Sequence, residues 1–429
     1  MRKTNRQKGI TLVALIITII ILLILAGISI ASLTQTGLFT KAKEAKQNTL
    51  DAQLKENATL NEYDEWIAKY GGKGGSSEGQ PITNVDTSKT NPEGAKPKGA
   101  TVIEGDATKG IVIKDSNNNE WVWVEVPKNI TEGKTTDAEI ETALQTYAGD
   151  YREGKTGQGC NWTDEWYNGC GMSKDEYNTA KSKMLQSIKT NGGFWISRYE
   201  AGIEGTNTDE TINEIPNVRY EHSNITKDSP KAVSQANRIP YNYVKCSEAQ
   251  SLAGRMSPDT SKTCSLLFGI QWDLVCKYLE ENTDLEIVDI NSNSATKNWG
   301  NYANNSITLK PNSRYCTSPS SSSGTWALYT VENDFITLSN NVYKTNNDTN
   351  YKGLLTTGAS EDANKMNIYD FAGNEWEFTL EHATSNSDYP CAYRGGSYYN
   401  TGSGSPASYR SDNTTSNSYS LVGFRSTLY

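Results

Sequence analysis

The stretch NIYDFAGNEWEFT, residues 367–379, places a glycine turn directly before an alternating apolar run. Gly373-Asn374 favours a tight turn, because both residue types adopt left-handed backbone easily. Trp376 and Phe378 are two residues apart, so we expect them to share one face of a strand and to anchor a core. The stretch therefore predicts a turn that leads into a buried strand.

Two carboxylates, Asp370 and Glu377, bracket this turn. They could converge with backbone carbonyl groups, which is how proteins hold a hard cation such as Ca²⁺. The other interpretation is that both carboxylates only bond backbone amides and hold the turn. The residues alone leave both interpretations open.

Composition excludes several classes of protein. The 429-residue chain has a formal net charge of -9 and no dense run of Lys and Arg, which argues against nucleic acid as a partner. Its only histidines are His222 and His382, so we expect neither a histidine zinc site nor a Ser-His-Asp centre. Ten Trp and 24 Tyr can still build a core. The chain is therefore expected to be polar, loop-rich and globular.

The seven cysteines do not form a recognisable framework, because their number is odd and no C-x-x-C occurs. Cys160 could bridge to Cys170, and Cys264 could bridge to Cys276. The alternative is that the thiols are free or buried. The spacing does not decide between these alternatives.

The N-terminal region has a basic head followed by an uncharged apolar run, residues 10–31. A helix of this length spans a bilayer core, and the basic head stays on the cytoplasmic side. Residues 40–70 contain no Pro or Gly and are rich in helix formers, so the helix is expected to continue as a stalk. The sequence thus predicts a single-pass membrane protein with an extracytoplasmic C-terminal domain.

The stretch KGITL, residues 8–12, resembles the class III signal of type IV prepilins and pseudopilins. In that family a prepilin peptidase cuts after the glycine, here Gly9, and methylates the new N-terminus, here Ile10. The resemblance implies a leader over 1–9, a transmembrane and stalk helix over 10–70, and other pilin-like subunits as partners in a pilus.

One position departs from the prepilin pattern. Family members usually carry Glu at the fifth mature position, and this chain has Ala14 there. The departure weakens the prediction of a major filament subunit. A plain single-span anchor is the alternative interpretation of this N-terminal region.

A Gly-, Ser- and Pro-rich segment, residues 71–100, is predicted to be a flexible linker. After it, residues 110–127 predict two strands joined by an Asn-rich turn, and residues 192–203 predict further strand structure. Residues 242–256 and 265–282 have helical spacing. Ordered structure is therefore expected from about residue 101 onward.

Several motifs follow one another in this C-terminal part. They are FWISRYE (194–200), QWD (271–273), NWGN (298–301), the stretch 367–379, YRGGSYY (393–399) and GFR (423–425). Together they resemble the formylglycine-generating-enzyme (sulfatase-modifying-factor) domain. The resemblance implies an α+β fold class: a long N-terminal pilin-type helix, then a C-type-lectin-like domain over 101–429 with much irregular structure.

The family resemblance also implies a metal. Family members often hold calcium at the turn, so the matching positions would give a structural Ca²⁺ with side-chain ligands Asp370 and Glu377 and carbonyl ligands Gly373 and Glu375. Separately, Arg394, Arg410 and Arg425 are expected to form salt bridges inside the domain rather than to bind a ligand.

The resemblance does not extend to catalytic residues. Sulfatase-activating members use a copper-binding pair of cysteines just after the Arg-Gly-Gly-Ser strand, and residues 398–419 contain no cysteine. Other members bind iron through a histidine cluster, which two isolated histidines cannot supply. We therefore expect a protein that is not an enzyme.

The residues from 398 to 420 are Ser, Tyr, Asn, Thr, Gly and Asp apart from Pro406, Ala407 and Arg410. This is the composition of antibody paratopes, in which Tyr gives contact area and small polar residues adapt their hydrogen bonds. The candidate ligand-binding residues are Tyr398, Tyr399, Asn400, Ser403, Ser405, Ser408, Tyr409, Ser411, Asp412, Asn413, Thr415, Asn417 and Tyr419. The alternative is a low-complexity surface loop.

Residues 394–429 are also similar to the variable region of proteins diversified by retroelements, whose lectin-like domains end in such a stretch. Altering the adenines of an Asn codon, AAC, gives largely the residue types present here. The sequence therefore predicts a surface-displayed adhesin or receptor for a protein or glycan on another cell, a phage or a host. The alternatives are a structural minor pilin and, less favoured, an enzyme of the sulfatase-modifying type.

Overall fold

A computed structural model describes residues 79–152, 161–206, 229–292, 299–305, 307–310, 312–316, 326–328, 343–344, 350–351 and 353–429. The chain divides into two units, 1–77 and 78–429, and every described residue belongs to the second. The predicted leader 1–9 and the transmembrane and stalk helix 10–70 lie outside the described residues. Within the described ranges, no helix is long and apolar enough to cross a membrane.

The described residues form a mixed α+β structure, which confirms the predicted class for this part of the chain. The helices are α1 (Pro92–Ala95), α2 (Asp137–Tyr147), α3 (Gly149–Arg152), α4 (Lys174–Asn191), α5 (Cys246–Ala253), α6 (Gly269–Asn282) and α7 (Ile287–Ser292). The first ten strands are β1 (Thr101–Glu104), β2 (Val112–Lys114), β3 (Glu120–Glu125), β4 (Trp162–Thr163), β5 (Gly193–Ser197), β6 (Gly202–Ile203), β7 (Ala232–Val233), β8 (Cys264–Leu266), β9 (Arg314–Cys316) and β10 (Trp326–Leu328). The remaining strands are β11 (Tyr343–Lys344), β12 (Asn350–Tyr351), β13 (Leu354–Leu355), β14 (Asn364–Lys365), β15 (Ile368–Tyr369), β16 (Trp376–Ala383), β17 (Cys391–Arg394), β18 (Arg410–Asn413), β19 (Val422–Phe424) and β20 (Ser426–Leu428).

Two sheets organise the domain. The larger is antiparallel with the order β1-β2-β3-β5-β20-β8, so the C-terminal strand β20 lies between strands from the middle of the chain. The second has the order β18-β17-β16-β19, and β4 also pairs with β16. In this second sheet β16 and β19 are parallel, while β17 is antiparallel to both of its neighbours.

Local sequence explains where the longer helices begin. Thr136 and Glu139 form a reciprocal capping box at the start of α2, and Ser173 and Glu176 form one at the start of α4. Each box satisfies backbone amides that the first helical turn leaves without partners. Gly192, with φ 70°, then ends α4 in the left-handed conformation.

Tryptophans and tyrosines supply many of the largest side chains in a core that is otherwise mainly aliphatic. Trp123 and Trp195 meet edge to face with 5.0 Å between ring centroids, and Trp272 stacks on Phe371 at 4.1 Å. The expected core anchors of the turn-strand stretch are also buried, Trp376 at 7% exposure and Phe378 at 1%. Aromatic burial therefore compensates for a chain that contains few Phe and Met.

The prediction of a flexible linker over 71–100 was wrong at its C-terminal end. The side chain of Thr90 donates to the carbonyl oxygen of Gly192 at 2.7 Å, and the indole nitrogen of Trp123 donates to Thr90 at 2.9 Å. Ala95 in α1 is 1% exposed and belongs to the core. A Gly- and Pro-rich composition did not reveal this packing, because backbone and short side chains make it.

Candidate ligand-binding surface

The tyrosine-rich stretch, residues 398–420, contains β18, an edge strand of the second sheet. The chain leaves β17 after Arg394, returns as β18 at the edge of the sheet, and enters β19 at Val422. The register pairs Tyr393 with Ser411 and Arg394 with Arg410. Cross-strand partners point to the same face, so this register determines which residues of the stretch face inward and which face outward.

The inward face of β17 and β18 is held by a buried ionic network. Arg394 donates to Asp273 at 2.7 Å and to Glu381 at 3.1 Å, and Arg410 donates to the same carboxylates at 2.6 and 3.0 Å. All four side chains are fully buried. The predicted structural role of Arg394 and Arg410 is therefore confirmed.

Charge balance explains why these buried ions are tolerated. Burial alone would raise the pKa of Asp273, but Arg410, Arg394 and Arg152 together hold that pKa below its ordinary value. Arg152 also lies 3.1 Å from Glu381. Buried charges that are fully paired and hydrogen-bonded avoid the cost of an isolated buried ion.

The end of the stretch has a second anchor. The guanidinium of Arg425 is fully buried and donates to Glu377 at 2.8 Å, to the carbonyl oxygen of Ser197 at 2.9 Å and to that of Tyr369 at 2.7 Å. This contact confirms the expected internal salt bridge of Arg425. Both ends of the tyrosine-rich stretch are thus tied to the interior by arginines.

The predicted calcium ligands do not fit a cation in this arrangement. Both carboxylate oxygens of Glu377 accept hydrogen bonds from Arg425, and a guanidinium beside them disfavours a second cation. Across the described ranges, no group of three or more His, Cys, Asp or Glu side chains could hold a metal ion. We therefore derive no role for calcium from Asp370, Gly373, Glu375 and Glu377.

The same residues instead hold the turn. Asp370, with φ 57°, accepts a hydrogen bond from the backbone amide of Gly358 at 2.6 Å. Gly373, with φ 73°, packs its Cα against the backbone of Asn301, where a Cβ would clash. For Asp370 this matches the alternative interpretation, in which the carboxylates bond backbone amides, whereas Glu377 pairs with the Arg425 guanidinium instead.

The interior next to this turn is unusually acidic. Burial raises the pKa of Glu375, and the neighbouring carboxylates Glu377 and Asp370 raise it further. Burial and the same acidic neighbours also raise the pKa of Glu200. No cationic side chain of the described segments forms a salt bridge with Glu375, so burial favours its neutral form.

The structure separates the thirteen predicted contact residues into two groups. Four are buried, and the prediction that they contact a ligand needs correction: Tyr398, Ser405, Ser408 and Asn413. Nine are exposed or half-exposed: Tyr399, Asn400, Ser403, Tyr409, Ser411, Asp412, Thr415, Asn417 and Tyr419.

The buried group has structural contacts. The backbone amide of Tyr398 donates to the carbonyl oxygen of Asn374 at 3.0 Å, and its ring packs with Cys316 and Leu354. The amide of Ser408 donates to the carbonyl oxygen of Ile290 at 3.2 Å. Composition could not separate these residues from their exposed neighbours, because Tyr and Ser occur in both groups.

Four residues of the exposed group lie around Tyr393, and we name this surface the tyrosine face. It consists of Tyr393, Tyr409, Ser411, Asn417 and Tyr419. The Ser411 hydroxyl lies 3.4 Å from that of Tyr393, and the Asn417 amide donates to the Tyr419 hydroxyl at 2.8 Å.

Aromatic packing supports the tyrosine face from below. Trp376 meets Tyr393 edge to face at 4.9 Å between ring centroids and Tyr409 at 5.7 Å. Sequence reasoning missed Tyr393 as a surface residue and Trp376 as its support. The signal that could have found Tyr393 is strand alternation, because it precedes the inward-facing Arg394 by one position.

The phenols of Tyr393 and Tyr409 are neutral. Burial raises the pKa of Tyr393, and the neighbouring Asp412, Tyr419 and Tyr409 raise it further, against a hydrogen bond from Ser411. Burial and then Asp412 also raise the pKa of Tyr409. These hydroxyl groups therefore keep their protons at neutral pH and can both donate and accept hydrogen bonds.

Comparison with known proteins adds no family assignment. No family model matches the chain, and no curated protein matches it. Among solved structures, a search finds Treponema denticola variable protein 1, with 15% identity over 74% of this chain and 86% of that chain and a TM-score of 0.22. It also finds CarF, with 13% identity over 72% and 86% and a TM-score of 0.19. At such TM-scores the likeness carries no argument, so the surface is interpreted from its geometry.

Proposed function

We propose that this chain is a ligand-binding protein whose recognition surface is the tyrosine face. The observation that carries the proposal is the division within one strand, β18. Arg410 of that strand is fully buried in an ionic network, whereas the next residue, Ser411, is half-exposed beside Tyr393. A rigid inner face thus supports an adaptable outer one, as binding loops on a scaffold require.

The chemistry of the outer face favours macromolecular recognition. Tyr419 is 46% exposed, and it lies among hydroxyl and amide groups that can change partners at little cost. Tyrosine supplies large contact area with few rotatable bonds, and it is enriched among residues that dominate binding energy. We propose a protein or glycan on another cell, a phage or a host as the ligand.

The wider setting is proposed from the sequence. The predicted membrane span 10–31 and prepilin-type signal would display the domain at the cell surface, either singly or within a pilus. The C-type-lectin-like fold and retroelement diversification of residues 394–429 belong to the same proposal. Catalysis does not, because the stretch 398–419 contains no cysteine.

The test is a binding screen with matched tyrosine variants. The full-length chain in detergent is screened against a glycan array and a displayed peptide library, and each hit is measured again with variants. We expect Tyr419→Ala to weaken binding at least about tenfold, which is the loss of about 1.4 kcal/mol. Tyr389 is the control, because it is 41% exposed but lies outside the stretch.

The control variant makes the result decisive. Tyr389→Ala should leave binding within about twofold of the parent. Equal losses in both variants, or no loss in Tyr419→Ala, would place recognition elsewhere and contradict the proposal. Failure of every probe in the screen would also count against a general protein- or glycan-binding surface.

A further inference from the structure

A short loop from elsewhere in the chain lies against the tyrosine-rich stretch. This loop, residues 164–172, follows β4 and ends before α4. Gly169 of the loop, with φ 100°, packs its Cα against Thr415, and a Cβ at this position would clash with the threonine side chain. The loop therefore adjoins the stretch two residues before Asn417, which belongs to the tyrosine face.

Contacts with a helix and a strand hold the 164–172 loop in place. The carboxylate of Asp164 accepts hydrogen bonds from the backbone amides of Gly269 at 2.6 Å and Ile270 at 2.9 Å, at the start of α6. The buried ring of Tyr167 stacks on His382 of β16, with 5.0 Å between ring centroids. A loop that is fixed in this way presents its exposed side chains in one arrangement.

No disulfide contributes to this fixation. Cys170 of the loop is a buried free thiol, so its suggested pairing with Cys160, which lies outside the described residues, is not formed. Cys264 and Cys276 are buried free thiols as well. Hydrogen bonds and packing therefore hold the loop.

Two polar side chains of the 164–172 loop are exposed. Asn168 directly precedes the glycine that packs against Thr415, and Glu165 lies three residues earlier. The amide of Asn168 can both donate and accept hydrogen bonds, and the carboxylate of Glu165 can accept them from a cation. The loop thus offers contact groups directly beside the stretch.

The exposed charge on the loop and the stretch is negative. Together they contain one cationic side chain, Arg410, which is fully buried in its ionic network. Their exposed or half-exposed charged side chains are the carboxylates Glu165 and Asp412. A lysine or arginine of a partner complements such a surface, whereas an anionic glycan is repelled. The charge therefore favours a protein segment with a basic side chain.

We propose that the 164–172 loop is a second part of the recognition surface, that Asn168 is a further ligand contact, and that the ligand is a protein segment carrying lysine or arginine. This inference rests on the proposed function. It adds to the tyrosine face a contact region that lies far from it in sequence, and it names the class of partner. Because the loop is held in place before binding, its contacts cost little conformational entropy when the ligand binds.

The test begins with a selection from a displayed random peptide library on the full-length chain in detergent. The recovered peptides should be at least about twofold richer in Lys and Arg than the unselected library. Each peptide is then measured on variants of the chain. Asn168→Ala should weaken binding at least about fivefold through the loss of a hydrogen bond. Glu165→Gln should weaken binding at least about threefold and make it less sensitive to salt.

Two variants outside the loop and the stretch are matched controls. Asn129 and Glu132 are exposed residues of the same types. Asn129→Ala and Glu132→Gln should leave binding within about twofold of the parent. All of the substituted side chains are exposed, so each variant should melt within about 2 °C of the parent.

Tyr419→Ala separates this inference from the proposed function. Weaker binding in Tyr419→Ala together with unchanged binding in Asn168→Ala and Glu165→Gln would overturn the inference and leave the tyrosine face as the recognition surface. Unchanged binding in all three variants would contradict both. A selection that yields no binding peptide, or only peptides without lysine and arginine, would overturn the proposed class of partner.

Discussion

Arg410 is the basic residue inside the tyrosine-rich stretch, and replacing it tests whether the buried network anchors that stretch. Its guanidinium donates to Asp273 at 2.6 Å, to Glu381 at 3.0 Å and to the carbonyl oxygen of Tyr151 at 2.7 Å. Arg410→Ala removes all of these contacts at once. The buried carboxylates of Asp273 and Glu381 then keep only Arg394 and Arg152 to balance their charge.

The expected cost follows from burial and pairing. Breaking a buried ion pair by removing one partner costs about 3–5 kcal/mol, because the other charge stays buried without compensation. Arg410, Asp273 and Glu381 are fully buried, so solvent does not screen the loss. Domains have free energies of unfolding of about 5–15 kcal/mol, so the variant should fold but be much weakened.

Urea unfolding followed by tryptophan fluorescence measures the loss of free energy. Arg255→Ala is the matched control, because Arg255 is exposed and its guanidinium only donates to the carbonyl oxygen of Ser251 at 3.0 Å. The control should change the free energy of unfolding by no more than about 0.5 kcal/mol. A loss below about 1 kcal/mol in Arg410→Ala would refute the view that the network anchors β18.

Two further perturbations test the turn and the loop. Burial raises the pKa of Asp370 to about 6. Folding therefore favours the protonated carboxyl group, and this stabilisation is complete below about pH 4. As pH rises through 6 the buried carboxyl group ionises, and the free energy of unfolding falls by about 3 kcal/mol. Asp370→Asn keeps an acceptor for the amide of Gly358 but cannot ionise. Urea unfolding should therefore show a smaller change in the free energy of unfolding between pH 4 and pH 7.5 in the variant than in the parent. Equal changes would contradict the role of Asp370 in this pH dependence. Gly396→Ala should cost about 1–3 kcal/mol, because at φ 74° its Cβ meets the carbonyl oxygen of Ser405. Gly133→Ala is the control, because Gly133 has φ 72° but open space where the Cβ would lie, and it should lower stability less. Equal falls in melting temperature for the two variants would show that the clash at Gly396 does not contribute.

Local pattern predicted much of the described fold. Helical spacing placed α5 and α6, and alternation placed β2, β3 and β5. These elements depend on interactions between residues that are close in sequence, which a pattern can show. The predicted internal salt bridges of the arginines were also confirmed, because a guanidinium among apolar and strand residues needs a carboxylate when it is buried.

The misses depended on partners distant in sequence. The sequence did not show that Arg425 is the partner of Glu377, because the parallel pairing of β16 with β19 brings the two alongside. Ser408 and Tyr398 resemble their exposed neighbours in type, and only the fold shows that they are buried.

The central claim is that the tyrosine face contacts the ligand, and covalent footprinting measures this most directly. Full-length protein is labelled with hydroxyl radicals with and without a bound hit from the screen, and modification is read residue by residue. The account predicts that bound ligand protects Tyr409 and Tyr419 from modification but does not protect Tyr389. Tyr389 is the reference because its exposure in the free protein is close to that of Tyr419. Protection of Tyr389 with unchanged labelling of Tyr409 and Tyr419 would contradict it.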